Sequence, residues 1–298
     1  MRRAPLSGVG MQIQKSFKGD YQTGTLYLVA TPIGNLQDMS FRAVETLRKV
    51  DFIAAEDTRN TGLLLKHYEI STPQISFHEH NAQEKIPQLL KLLQEGKSLA
   101  QVSDAGLPSI SDPGHDLVQA ALAADIPVVP IPGASAGITA LIASGLAPQP
   151  HIFYGFLPRK TGQQKAFFES KFAYPETQIF YESPYRVVDT LKNMQSVYGD
   201  RSVVLVRELT KIFEEFQRGR ISEILAYLAE NPAKGECLLI VQGNEEVAVE
   251  ASEEDVLAEV AALIAQGEKT NQAIKQVAKK YGLSKSELYA RYHEEKTH

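Results

Sequence analysis

Short apolar runs alternate with longer runs in which apolar residues recur every three or four positions. Thr25-Leu26-Tyr27-Leu28-Val29-Ala30 predicts the first strand. Ser40 then caps a helix carrying Phe41, Val44, Leu47 and Val50 on one stripe. A strand over 51–55, a helix over 60–68 and a strand over 75–78 follow. Next come an amphipathic helix over 85–94, a strand over 98–102, a helix over 116–124 and a strand over 126–130. This strand–helix repetition predicts a mostly parallel sheet covered on both faces. A helix of small residues spans about 135–144, and the Gly/Pro-rich 145–150 segment reads as a domain crossing.

The pattern then resumes. Strands are predicted at 152–156, 178–182, 202–207 and 237–241, with an antiparallel or edge segment at 213–219. Helices fit 163–171, 185–198 and 221–230, the last helped by Ser222 as a cap. After Gly243 an acidic stretch precedes a basic one. Ser252 with Asp255, and Ser284 with Glu287, make capping boxes, and Gly282 stops the helix opened by Thr270. The division is a lead over 1–23 with Met11 as an alternative start, α/β domains over 24–145 and 146–244, and a helical region over 245–298.

With 31 basic and 36 acidic residues the chain is no basic coat for nucleic acid, although a local patch remains possible. One cysteine, Cys237, excludes an internal disulfide framework and fits a reduced cytoplasmic setting. No apolar run approaches the roughly 20 residues that span a bilayer. Dinucleotide, phosphate-loop and nucleophile-elbow fingerprints are missing. His78 and His80 bracket Glu79 without an evident third ligand, so no metal site is expected.

Four strand exits concentrate polar residues: 32–35, 56–59, 103–112 and 132–135. In a parallel sheet they share one edge. The second domain adds Tyr181 to Arg186 and Arg207 to Lys211. Carboxylates beside Arg and Lys suit an anionic or ribose-bearing partner. The long loop from Ser103 to Gly114, with Asp104, Gly106, Pro108, Asp112 and Pro113, is costly to order merely to reverse the chain.

Four segments resemble the tetrapyrrole-methylase superfamily: Leu28 to Leu36, Ala55 to Arg59, Val102 to Gly114 and Pro132 to Ala136. The likeness extends over about 25–243 and is greatest to the bacterial branch that methylates a ribose 2'-oxygen in small-subunit ribosomal RNA. Corrin-precursor enzymes of the superfamily carry Gly-x-Gly-Pro-Gly in the first loop. Ala30-Thr31-Pro32-Ile33-Gly34 stands here, which argues against a tetrapyrrole substrate.

The resemblance implies an S-adenosylmethionine-dependent enzyme of two α/β domains with a cofactor cleft between them, acting as a homodimer. Its substrate is a cytidine ribose in the decoding region of 16S ribosomal RNA, within the 30S subunit; no DNA or membrane partner is implied. Carried over as cofactor positions are Pro32, Ser103, Asp104, Ala105, Gly106, Ser109 and Ile110. Ser135, Ala136, Phe180, Tyr181, Pro184, Leu209, Ala233 and Lys234 complete the set.

For proton removal and charge stabilisation the first choices are Glu56 and Asp57, with Arg59 positioning a phosphate. Glu182 and Arg186 come second, then Glu208 with Lys211. Lys275, Lys279, Lys280, Lys285 and Arg291 form a basic tail for RNA docking. Two rival readings remain: a related enzyme acting on a tetrapyrrole or modified protein side chain, and a non-enzymatic RNA-binding assembly factor.

Overall fold

The computed structural model describes residues 13–16, 22–110, 114–244, 253–281 and 283–295. Contacts divide the chain into two units, Met1–Ala136 and Gly137–His298. The first holds β1 (Leu26–Val29), α1 (Phe41–Lys49), β2 (Phe52–Ala55), α2 (Thr58–His67) and β3 (Gln74–Ser76). It continues through α3 (Ala82–Gln94), β4 (Leu99–Val102), α4 (Gly114–Ala123) and β5 (Val128–Ile131). The strands are all parallel, in the order β3-β2-β4-β1-β5.

Alternation along the strands supplies both faces of this sheet. Ile53 and Ala55 join Ala43 and Leu47 of α1 and Leu65 of α2 in one core. Ala54 faces the other way and joins Leu89 and Leu93 of α3 and Leu117 and Ala121 of α4. The chain runs outward from β1 through β2 to β3, then returns through β4 to β5. With right-handed crossovers, the loops after β1 and β2 leave toward one face and the loop after β4 toward the other. Such a divergence opens a crevice at the carboxyl ends of the strands. Ser40 caps α1 as expected, its hydroxyl accepting from the Ala43 N–H at 3.1 Å.

The second unit contains most of α5 (Ala136–Ser144), then β6 (His151–Phe156), α6 (Thr161–Lys171), β7 (Thr177–Glu182) and α7 (Val187–Tyr198). β8 (Ser202–Arg207), β9 (Glu215–Arg220), α8 (Ile221–Glu230) and β10 (Cys237–Val241) complete its sheet and cover. The order is β6-β7-β10-β8-β9. Only β6 and β7 pair in parallel; the other neighbours are antiparallel. The division falls ahead of the Gly145–Pro150 crossing because α5 packs on this sheet. A Cβ on Gly137 would lie 3.4 Å from the Phe153 ring and 3.5 Å from Ile179. The Arg218 guanidinium donates to the carbonyls of Ala143 and Ser144 at 2.7 and 3.1 Å.

The start of α8 departs from expectation. Ser222 does not cap it. The Asp200 carboxylate accepts from the Ser222 N–H and hydroxyl, each at 2.7 Å. A carboxylate there satisfies an orphan amide and meets the positive end of the helix. The Ser222 hydroxyl, then its N–H, hold the Asp200 carboxyl below its usual range.

Past residue 252, α9 (Glu253–Ala265), α10 (Thr270–Lys280) and α11 (Lys285–Glu295) enclose a core of their own, including Val260, Ile274, Val277 and Leu288. The Leu288 N–H bonds the Ser284 carbonyl at 2.9 Å, where the cap was expected. Ser252 and Gly282 lie outside the described residues, as do Ser111, Asp112 and Pro113 of the long loop. Among the described residues no helix is long and apolar enough to cross a membrane.

Replacing Asp200 with Ala should destabilise the second unit by about 1 kcal/mol, the usual cost of a lost N-cap. Thermal unfolding at pH 7 reads this as a lowered Tm. Because the native carboxyl is depressed, the difference is full above the unfolded value and fades as pH falls through the native one. An unchanged Tm at pH 7 contradicts the assignment.

Candidate active site

The carboxyl edge of the first sheet is built by register. Ala55 lies beside Val102, and Leu28 beside Gln101, so Glu56, Asp104 and Thr31 emerge from adjacent strands. An antiparallel bridge then stitches the loops after β1 and β4. The Thr31 N–H donates to the Gly106 carbonyl at 2.9 Å, and the Gly106 N–H donates back at 3.1 Å. The Thr31 hydroxyl adds a bond to the Ser103 carbonyl at 3.0 Å. Gly106 sits at φ 78°, and a Cβ there would come 3.3 Å from Ile33. A side chain is therefore excluded by both conformation and space.

Around this stitch lies a pocket of about 270 Å³, lined by Thr31, Pro32, Gly34, Leu36, Asn60, Thr61, Leu63, Leu64, Ser103 and Asp104. Further along the loop, Ser109 adopts φ 73° although it is not glycine. Its hydroxyl is buried with no partner among the described residues. A strained residue with an unspent buried hydroxyl is what a wall built for a polar ligand presents. Ala105 and Ile110 are exposed beside it.

The acidic groups form one network. The Glu56 Oε2 atom accepts from the Asp104 N–H at 3.2 Å. Asp104 accepts from the Asp57 N–H at 3.2 Å and from the Asn60 side-chain amide at 2.9 Å. Asp57 is spent differently from the expectation that pairs it with Glu56. It caps α2, accepting from the Arg59 N–H at 2.8 Å, and binds the Arg59 guanidinium at 2.7 and 3.0 Å. The guanidinium, then the N–H, hold its carboxyl down to about 2. So weak a base is a poor proton acceptor near neutral pH. Glu56 is half-buried, and its Oε1 atom has no partner among the described residues. The Arg59 side chain is 88% exposed beyond its ion pair.

In the second unit several expected site residues prove structural. Glu182 is buried and accepts from the Ser183 N–H at 2.7 Å, Arg186 at 3.0 Å and the Thr190 hydroxyl at 2.7 Å. Gln164 and Asn193 extend this network. A buried carboxylate so fully engaged orders the 183–186 turn and has no lone pair left for a substrate proton. Arg186 also serves that turn, donating to the Leu157 carbonyl at 3.2 Å. Phe180 lies fully inside the hydrophobic core, which leaves its backbone alone for a ligand. Tyr181 is half-buried against Phe153 and Phe156. Pro184 and Ala233 are also half-buried, as are Ser135 and Ala136 at the start of α5.

Glu208 and Lys211 form a closed ionic cluster. Glu208 accepts from the Glu236 N–H at 2.8 Å and from Lys211 at 3.1 Å, and Lys211 reaches Glu236 at 3.0 Å. The Glu236 N–H, then Lys211, lower the Glu208 carboxyl. Burial opposes the Lys211 charge, but Glu236 and Glu208 outweigh it and raise its value. The cluster shapes the turn around buried Leu209, where Glu208 and Thr210 take φ of 48° and 69°. Lys234 is exposed, and its carbonyl accepts from Arg207 at 2.9 Å.

Of the basic tail, Lys275, Lys285 and Arg291 are exposed. Lys280 is held by Glu259 at 2.6 and 2.7 Å, and Tyr281 shares that carboxylate. The Lys279 side chain lies outside the described residues. Sequence reasoning missed Asn60, Leu36 and Leu63 of the pocket, because only the β2–β4 register brings them together. No His, Cys, Asp or Glu cluster suited to a metal occurs among the described residues.

The family model for tetrapyrrole (corrin/porphyrin) methylases matches residues 25–225, and the chain belongs to that class of methyltransferases. The fold is shared with uroporphyrin-III-C-methyltransferase from Thermus thermophilus (TM-score 0.51, 19% identity, 74% of this chain and 94% of that one). It is shared likewise with a diphthine synthase (TM-score 0.56, 12% identity, 74% and 90%). At such identities the likeness establishes the fold alone. Ribosomal RNA small subunit methyltransferase I of Streptococcus pyogenes serotype M1 is 70% identical over 95% of this chain and all of its own length. Its Bacillus subtilis (strain 168) counterpart is 48% identical over 94% and 98%. Within the class, the chain belongs to the ribosomal RNA small subunit methyltransferase I family.

The Asp57 carboxyl should stay ionised throughout pH 4–8, given a value of about 2. A carbon-detected NMR titration checks this directly; a midpoint above pH 4 contradicts the Arg59 clamp.

Proposed function

We propose that this protein transfers the methyl group of S-adenosylmethionine to the 2'-oxygen of a cytidine ribose in the decoding region of 16S ribosomal RNA. It acts in the cytoplasm on the 30S subunit, as a homodimer. The supporting relatives carry ribosomal RNA small subunit methyltransferase names at up to 70% identity. The observation that carries the chemistry is Glu56: half-buried, steadied through one oxygen by the Asp104 N–H, with the other oxygen unclaimed among the described residues.

Bound S-adenosylmethionine supplies an electrophilic methyl group on a cationic sulfonium. In the first unit Pro32, Ser103, Asp104, Ala105, Gly106, Ser109 and Ile110 hold it, and the buried Ser109 hydroxyl is the unspent polar group that fits such a ligand. Backbone or side-chain atoms of Ser135, Ala136, Phe180, Tyr181, Pro184, Leu209, Ala233 and Lys234 are the further proposed contacts. The Gly106 stitch fixes the loop before the ligand arrives, so little ordering cost falls on binding.

A ribose hydroxyl attacks only as its proton is drawn away. Glu56 accepts that proton at Oε1. Arg59, turned outward from its Asp57 clamp, engages a neighbouring phosphate. Asp57 fixes Arg59 and the start of α2 instead of acting as base. Glu182 with Arg186, and Glu208 with Lys211, act as positioning groups for their turns. Lys275, Lys285 and Arg291 add charge for docking on RNA.

Glu56→Gln should lower kcat for methylation of 30S subunits by about 100-fold or more, the usual contribution of a general base, with S-adenosylmethionine affinity unchanged. Asp57→Asn should cost far less. Equal losses, or near-normal transfer by Glu56→Gln, contradict the division. Removing residues 270–298 should weaken 30S binding and flatten its salt dependence; an unchanged slope removes the tail from the account.

A further inference from the structure

The pocket beside the Thr31–Gly106 stitch has a division that the proposed methyl transfer does not yet use. Leu36, Leu63 and Leu64 form apolar walls, and Asn60, Thr61, Ser103 and Asp104 give polar groups. Leu63 is 71% exposed and Leu36 41% exposed at its mouth. Two leucines held open to water beside a carboxylate suit a planar ligand that covers them while presenting polar edges inward. The lining contains no Lys or Arg to take an anionic group.

Asp104 is the polar centre. One oxygen accepts from the Asp57 N–H and the other from the Asn60 amide, so the carboxylate is fixed in direction while its residue remains exposed. Each carboxylate oxygen has a second lone pair. A fixed carboxylate reads the exocyclic amino group of cytosine, and it repels the carbonyl that uracil places at the same position. The backbone N–H of Asp104 holds Glu56, so a base seated on this carboxylate brings its own sugar toward the group assigned to remove the proton.

We propose that this pocket receives the target nucleobase, turned out of its RNA stack, and that Asp104 reads its amino group. Asn60 acts as a positioning residue that holds the Asp104 carboxylate in line. The Leu36 and Leu63 side chains cover the faces of the base. Turning the nucleotide out frees its ribose edge from neighbouring residues, as enzymes working on single nucleotides in RNA or DNA require. The pocket volume of about 270 Å³ suits one pyrimidine and part of its sugar. This inference rests on the methylation reading and extends it to base selection.

The test uses the full chain, S-adenosylmethionine, and 30S subunits carrying either cytidine or uridine at the methylated position. Wild-type protein should prefer cytidine by at least about tenfold in kcat/KM, the discrimination expected of a directed base contact. Leu63→Asp should lower kcat/KM on cytidine subunits about tenfold or more, and Asn60→Ala should narrow the cytidine-to-uridine ratio. Both should leave Tm and cofactor Kd unchanged, since both residues are exposed. An unchanged ratio in Asn60→Ala overturns the base-reading role. A cofactor Kd weakened in step with kcat/KM in Leu63→Asp gives the pocket to the cofactor instead and overturns the proposal. Should wild-type protein methylate neither subunit, the methylation reading fails. The pocket is then judged on 30S affinity: weakening by Leu63→Asp supports an RNA site, and equal affinity overturns it.

Discussion

Two backbone hydrogen bonds between Thr31 and Gly106 are the constraint on which the candidate site depends. They join loops that leave the sheet toward opposite faces, at the place where parallel α/β sheets open a crevice. Without them the β4 loop is a long polar excursion with little core of its own. With them Ser103 is buried, Asp104 is fixed at the edge, and the backbone can continue into the left-handed turn at Ser109. Gly106 is required because the stitch takes φ 78° within 3.3 Å of Ile33.

Electrostatics then separates three carboxylates that the sequence places within one short reach. Asp57 faces the start of α2 and Arg59, and becomes a clamp with a strongly lowered value. Asp104 receives two donors and becomes a directed acceptor. Glu56 receives one and keeps an open oxygen. The division comes from helix capping and register, which differ between neighbouring residues of the same strand exit. It is the kind of arrangement by which similar groups take different roles in one site.

The first sheet was legible in the chain because its strands are short, its helices carry clear stripes, and capping residues such as Ser40 act locally. The second sheet was less so. Val203 to Val206 and Leu238 to Val241 are buried on both faces, so their apolar runs look alike whether paired parallel or antiparallel. Capping of α8 by Asp200 was hidden because the partner lies 22 residues away. Glu182 resembled a site carboxylate by motif; Thr190 and Arg186, one and two turns of chain away, reveal it as a buried anchor only once α7 is folded. The positive φ values at Ser109, Glu208 and Thr210 leave no mark on sequence, since none of these residues is glycine. Asn60 was overlooked for a similar reason: a lone polar residue in a helix's first turn gains meaning from the Asp104 carboxylate that register brings to it.

The central claim is that this fold delivers a methyl group to a ribose oxygen of ribosomal RNA. Its most direct measurement incubates the protein and isotopically labelled S-adenosylmethionine with 30S subunits from cells lacking the activity, then maps the label by nuclease digestion and mass spectrometry. The account predicts one labelled 2'-O-methylcytidine in the decoding region of 16S RNA. Label on a base, on protein, or nowhere while the cofactor is bound contradicts it.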